Sequence, residues 1–216
     1  MAVNNISTIF AATLHNSDLS EKQQAVLTAC LELFSEKGFE NTSTADIAKR
    51  ARVAEGTVYK HFRTKEDILT AILKPMTDTV VPEVAAEFVD QIEPNRFDTL
   101  EALLRFVVAD RLQFVLDNRA IIRVFAQQAF VRQDLLQNVL NTLNAQFDRG
   151  FLPALHQFQA RGEMVNWEDT RIFRLIGSTV LGYALPVVMM PAGAATFDFE
   201  KSTDEIVETL LKAFKA

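Results

Sequence analysis

The chain has 216 residues, 49% of them apolar, with 7 glycines and 6 prolines. That length can bury a sizeable core in one or two domains, and so little punctuation points to long helices rather than a strand-rich fold. A net charge of −6 excludes a protein that coats nucleic acid indiscriminately, and the single cysteine, Cys30, excludes an intramolecular disulfide and any multi-cysteine metal site. No basic stretch precedes an apolar one at the N-terminus, so no secretory signal is expected and a reducing cytoplasm fits.

Residues 1–19 mix Asn, Ser and Thr with Ile6, Ile9, Phe10 and Leu14 and are read as a terminal arm, either frayed or a short amphipathic turn. Ser20 and Gln23 then form a capping box ahead of a broad apolar stripe, Val26, Leu27, Cys30, Leu31, Leu33 and Phe34. Gly38 suits the left-handed position that ends this helix, with Phe39 folding back on Phe34.

Two short helices follow. Ser43 with Asp46 caps the first, and Ile47, Ala48 and Ala51 share its inner face. After Arg52-Val53-Ala54 the chain re-enters helix at Glu55, where Val58 and Phe62 face inward and Thr57, Lys60 and His61 face away. Helices this short need a third to pack on, and the preceding helix supplies it. A helix-turn-helix whose second helix enters a DNA major groove has this design. Between Asn41 and Lys65 six basic residues stand against only Asp46 and Glu55, a basic island in an acidic chain. A solvated charged face is the bland alternative.

Thr64 with Asp67 caps the next helix, in which Pro75 and Pro82 are expected to bring a kink or an end. Beyond it the pattern stays helical. Val84, Phe88 and Ile92 make a short helix ended by Pro94, Asp98 with Glu101 opens a longer one to about Asp117, and Ile121 to Phe130 makes another. A run from Asp134 is expected to bend near Gly150 and Pro153 and to stop at Arg161-Gly162. No alternating strand pattern and no internal repeat is visible.

Asn166 with Asp169 is expected to cap the most apolar helix, which has no charged residue between Arg174 and Phe197. Its glycines, Pro186 and mixed-charge flanks favour a helix buried on both sides, by its own domain and by a partner subunit, over a membrane span. Ser202 with Glu205 is expected to start the last helix, with Ile206, Val207, Leu210, Leu211 and Phe214 as its stripe. The expectation is an all-α chain. It comprises an arm (1–19), a helix-turn-helix domain (20–64), a connector helix (65–82) and a ligand-binding and dimerisation domain (83–216).

The run Gly38-Phe39, Thr42-Ser43, Ile47-Ala48, Ala51, Gly56-Thr57-Val58-Tyr59, His61-Phe62 and Lys65-Glu66 resembles the tetracycline-repressor (TetR) family of one-component regulators. The resemblance covers about residues 20–70. It implies a homodimer, built through the helices near 167–190 and 203–215, whose heads bind a palindromic operator in double-stranded DNA. It also implies a small-molecule effector that changes the head spacing, with no cofactor and no catalysis. Position by position it implies DNA contacts from Thr42, Ser43 and Thr44 at the start of the second helix. Gly56, Thr57 and Lys60 would approach base edges, and Tyr59, His61 and Lys65 would hold phosphates.

The turn departs from the family's Ala-Gly-Val-Ser. With Arg52 in the glycine place, either Arg52 takes a left-handed conformation or the turn differs, and Arg52 could add a phosphate contact. Glu55 would be repelled by phosphate, so it either selects against one base or faces away.

For the effector the only handles are polar and aromatic residues inside apolar stripes. These are Asp110 with Phe114, Gln128 with Phe125, His156 and Tyr183. The ordinary reading of each is a satisfied core or interface group; the other is a contact to a lipophilic ligand, cationic if Asp110 faces the cavity unpaired. An all-helical enzyme finds no support, because the histidines stand only at 15, 61 and 156, with no paired metal-ligand spacing. A helical ligand-binding or scaffold dimer without specific DNA binding remains the alternative.

Overall fold

A computed structural model of the chain describes residues 5–93, 95–129, 131–190 and 196–215, among which there are helices and no strand. In chain order these are α1 (Ile6–His15), α2 (Glu21–Lys37), α3 (Thr44–Ala51), α4 (Glu55–His61), α5 (Lys65–Pro75), α6 (Val81–Val89), α7 (Leu100–Ala129), α8 (Gln133–Gln146), α9 (Leu152–Ala160), α10 (Asp169–Met189) and α11 (Phe199–Phe214). The expected break at Pro94, the residue Phe130 and the Pro191-Ala192-Gly193 run lie outside the described residues. Two compact units emerge. One runs from α1 to Val84 and includes Ala120–Leu140; the other comprises Ala85–Arg119 and the chain from Asn141 onward.

In the first unit the arm is a helix. Asn5 caps α1 by accepting from the Thr8 amide, and Ile6, Ile9, Phe10 and Leu14 are buried in its packing on α2 and α5. Gly38 (φ +85°) ends α2, its N–H bonded to the Phe34 carbonyl, and the Phe34 and Phe39 rings meet edge to face at 5.1 Å. α2 carries the core on which α3, α4 and α5 pack. Cys30 lies fully inside that core, and burial pushes its thiol up to about 12, so it serves as a small hydrophobe.

Pro75 and Pro82 do not stop the helix that contains them. Between α5 and α6 the chain makes a π turn (Met76–Val80), where the Val81 N–H reaches back to the Met76 carbonyl. The wider turn accommodates the missing proline N–H without breaking the rod. A second π turn, Phe147–Phe151, joins α8 to α9 where a bend was expected.

In the second unit, α7 is one helix rather than two. The expected boundary near Asn118 disappears because that side chain is buried and donates to the Phe114 carbonyl within the helix. Three starts also differ. The Ala102 amide bonds Thr99 rather than Asp98, α10 is preceded by Glu168 rather than Asn166, and Asp198 rather than Ser202 caps α11. Leu103, Leu104, Leu155, Ile172, Ile206 and Phe214 centre this unit's core. The Val165 amide donates to the Phe214 carbonyl at 2.9 Å, tying the approach to α10 to the end of α11.

α10 is long and apolar enough to cross a membrane by length and composition alone, with 28% of its most apolar window buried. Ile172, Ile176, Ala184, Val187 and Val188 belong to the buried side. Gly177, Ser178, Leu181, Gly182 and Leu185 form an exposed stripe opposite. Within one chain, therefore, only one side of α10 is covered.

The second π turn depends on a glycine. A Cβ at Gly150 would fall 1.9 Å from Val89 Cγ1 and 3.1 Å from Val89 Cβ, a stiff side chain with nowhere to go. Gly150→Ala is expected to lower unfolding free energy by about 1–3 kcal/mol in urea titration. An unchanged midpoint would mean that the two elements approach less closely.

Candidate nucleic-acid interface

α3 and α4 are held by polar contacts that leave one face of α4 outward. Ser43 Oγ accepts from the Asp46 amide at 3.1 Å, and Asp46 Oδ2 accepts from the Ser43 amide at 3.0 Å, closing the expected capping box. The same carboxylate takes Lys37 Nζ at 2.6 Å. Lys37, then the Ser43 hydroxyl and amide, hold the Asp46 carboxyl well below the usual carboxylate range. Arg50 turns back to α2, pairing with Glu32 at 2.9 Å and Glu36 at 2.8 Å.

The turn has the left-handed geometry. Arg52 sits at φ 56°, ψ 40°, and the Val53 N–H closes on the Ala48 carbonyl at 3.0 Å. A serine cap is missing before α4, and Ala54 makes no side-chain bond there. Val58 and Phe62 face inward and are buried, whereas Tyr59, Lys60 and Arg63 are exposed and Thr57 and His61 half-buried. Lys49, Arg52, Lys60 and Arg63 make no ion pair among the described residues, so the basic island reduces to four outward cations once Arg50 and Lys65 are subtracted.

Gly56 is informative for the opposite reason to Gly150. An added Cβ there would meet nothing within 4 Å, so no neighbour inside the chain requires glycine on this exposed helix.

Besides Ser43 in its capping box, four of the expected contact residues are engaged internally, Thr42, Thr44, Tyr59 and Lys65. Thr42 is buried and donates its hydroxyl to the Gly38 carbonyl at 2.8 Å, which removes it from an exposed contact surface. Lys65 donates to the Phe39 carbonyl at 2.8 Å and lies over the Phe39 ring, 4.2 Å from its centroid, bracing the α2–α3 loop. Thr44 donates to Glu55 Oε1 at 3.0 Å and lies 2.9 Å from the Tyr59 hydroxyl. A threonine has one hydroxyl proton, which the carboxylate takes here, so Tyr59 must be the donor to Thr44. Glu55 is therefore turned toward α3 by its bond to Thr44. It anchors a Tyr59–Thr44–Glu55 relay that ties α4 to α3, and the relay must open before Tyr59 can donate to a phosphate.

The second unit holds a cavity of about 330 Å³ lined by five phenylalanines, among them Phe88, Phe114 and Phe173. Among the described residues, its polar lining residues are Arg111 and Gln146. Arg111 Nε donates to Asp110 Oδ2 at 2.9 Å, Nη2 donates to the same oxygen, and the guanidinium lies 3.8 Å from the Phe88 ring centroid. Burial pulls the Arg111 pKa down, and Asp110 works against that shift.

Of the expected ligand residues, Phe114 lines this cavity and Asp110 stands behind Arg111. Asp110 is thus paired with Arg111, which overturns the case for a cationic ligand. Phe125 and Gln128 are not among the lining residues; they lie on α7 in the first unit. His156 is exposed and bonded to Asp169 at 2.9 Å. Tyr183 donates to Glu205 at 2.9 Å, which raises its pKa, and borders a separate depression beside Pro186.

Residues 26–72 match the model of the family described as bacterial regulatory proteins, tetR family. That match takes in most of α2, all of α3 and α4 and the first part of α5, the segment that carries the outward face described above. The HTH-type transcriptional regulator HbdR of Aromatoleum sp. (strain CIB) is 36% identical over 66 residues, 31% of this chain and 29% of that protein. The fatty acid metabolism regulator protein of Bacillus subtilis (strain 168) is 33% identical over 74 residues, 34% of each. The chain thus aligns with about a third of the length of these curated relatives. Over nearly the whole chain the fold is that of the fatty acid degradation regulator FadR from Bacillus halodurans, with a TM-score of 0.60, 19% identity and coverage of 90% and 97%. These relatives are regulators, and none is named for a catalytic activity.

Arg111 and Gln146 were not among the residues that the sequence singled out. Arg111 follows an acid that already explained the polar position, and Gln146 closes a helix rich in Asn and Gln. The Thr44–Glu55 and Thr44–Tyr59 bonds cross between helices, so no single-helix periodicity reveals them.

A left-handed arginine costs about 1–2 kcal/mol that glycine avoids, offset in part by glycine's greater freedom when unfolded. Arg52→Gly is therefore expected to stabilise the protein by about 0.5–1 kcal/mol in urea titration. A lowered midpoint would mean that the arginine is not strained there.

Proposed function

We propose that this chain is a DNA-binding transcriptional regulator, a repressor that binds a palindromic operator as a homodimer and is released by a small apolar effector. The observation that carries the DNA-binding part is the outward face of α4. It combines Lys60, with Arg63 just beyond the helix end, both without an ion pair among the described residues, with Gly56, a glycine that no described neighbour requires. On this face Lys60 would read a base edge, guanine being the natural match for its ammonium. Gly56 and Thr57 would allow close approach, and Ser43, Tyr59, His61 and Arg52 would meet the backbone. The helix N-terminus favours phosphate, whereas Glu55 opposes it unless the relay to Thr44 keeps the carboxylate turned away.

The dimer would form through the exposed stripe of α10 around Leu181 and Leu185, with α11 beside it, giving the two-fold arrangement that a palindrome needs. The cavity of the second unit would take the effector. Release requires that the effector bind better to the form of the dimer that fits DNA poorly. A regulator working on DNA in this way belongs in the cytoplasm.

Selection from random duplex DNA tests the reading. A symmetric site should emerge, bound in a strongly salt-dependent manner by two chains per duplex. Gly56→Ala should fold as stably as the parent yet bind that site about tenfold or more weakly, because the added methyl meets nothing until DNA arrives. Recovery of no symmetric site, with only weak binding that fades at physiological salt, would favour a ligand-binding or scaffold dimer instead.

A further inference from the structure

The cavity of the second unit is apolar except at two points, and their chemistry restricts what can fill it. Arg111 spends Nε and Nη2 on Asp110, which leaves Nη1 without a hydrogen-bond partner among the described residues. Gln146 brings a buried side-chain oxygen, Oε1, that also has no partner among them. An unpaired buried carbonyl is costly, so the amide wants a donor that the chain does not provide. Both residues line the same cavity, together with Phe88, Phe114, Phe147 and Phe173.

Charge decides between ligand classes. The guanidinium would ordinarily mark a carboxylate site, but its charge is already met by Asp110. A ligand carboxylate would place a second anion beside that acid in a largely apolar enclosure, and an ammonium would place a second cation beside Arg111. A neutral ligand avoids both costs while still using the two unmet groups.

We infer that the cavity binds an uncharged lipophilic molecule whose polar end carries an acceptor oxygen next to an N–H or O–H donor, as in a primary amide. The oxygen takes a hydrogen bond from Arg111 Nη1, the donor satisfies Gln146 Oε1, and the hydrocarbon part lies among the phenylalanines. This rests on the reading of the cavity as an effector site and adds the class of effector to it.

Calorimetric titration of the full-length protein at neutral pH with decanamide, decanoate and decylamine tests the inference, since the three differ only in the head group. Decanamide is expected to bind about tenfold or more tightly than either charged analogue. Asp110→Asn removes the counter-charge while keeping the shape, and is expected to reverse the order of amide and carboxylate. Gln146→Leu provides an independent check if that variant folds poorly. It should weaken decanamide about fivefold or more and leave decanoate little changed.

Decanoate equal to or tighter than decanamide in the parent protein would overturn the ligand class while leaving the cavity as a ligand site. An unchanged order in a folded Asp110→Asn variant would overturn the charge argument and the inference with it. No heat from any of the three would overturn the cavity reading itself. The DNA-binding reading is judged separately, by operator selection without effector.

Discussion

Helices of eight and seven residues have no stability of their own in water, so the α3–α4 pair depends on what α2 lets it bury. Ile47, Ala48, Val58 and Phe62 are withdrawn from solvent, and Val26, Leu27, Cys30 and Phe34 of α2 belong to the same core. The polar contacts refine that arrangement. The Ser43–Asp46 box and Lys37 fix the start of α3, Arg50 ties its far end to two glutamates of α2, and the left-handed Arg52 turns the chain into α4. Each is an exposed or half-exposed interaction of modest individual worth. Their value lies in setting the angle at which a small outward face is presented.

That face and the cavity illustrate two ways of handling charge. On and around α4, Lys60, Arg52 and Arg63 are left in solvent without an ion pair among the described residues, where a polyanion can meet them without first breaking internal bonds. Thr44 and Tyr59 differ, because Glu55 has already claimed the hydroxyl proton that a phosphate would want. In the cavity, the guanidinium is neutralised by its neighbour Asp110 and sandwiched near phenylalanine rings, so specificity there falls to hydrogen bonding and shape.

The fold was legible wherever a local rule applied. Apolar spacing at Ile47 and Val58, the Ser43 and Thr64 capping boxes and the Gly38 stop each act within a few residues, and the structure has them where they were expected. Errors arose where context overrides local preference. Asn118, a poor helix former, is accommodated inside α7 by bonding the preceding turn, and two prolines are absorbed by a π turn. The sites follow the same division. The family resemblance pointed to α4 and its surroundings, and within that set the structure engages Thr42 and Lys65 with the backbone carbonyls of Gly38 and Phe39, which no sequence spacing reveals. The cavity was legible only as an abundance of phenylalanine and the single position Phe114. Arg111 and Gln146 come to line one cavity only when α7 and α8 are folded, and Phe125, Gln128, His156 and Tyr183 were chosen from stripes that lie outside that lining.

The central claim is that nucleic acid meets the outward side of the α3–α4 pair. Amide hydrogen exchange of the full-length chain, measured with and without a duplex it binds, tests this directly. The account expects slowed exchange concentrated between Ser43 and Arg63, with α4 most affected. Unchanged exchange across that segment, with protection appearing only elsewhere in the chain, would contradict it.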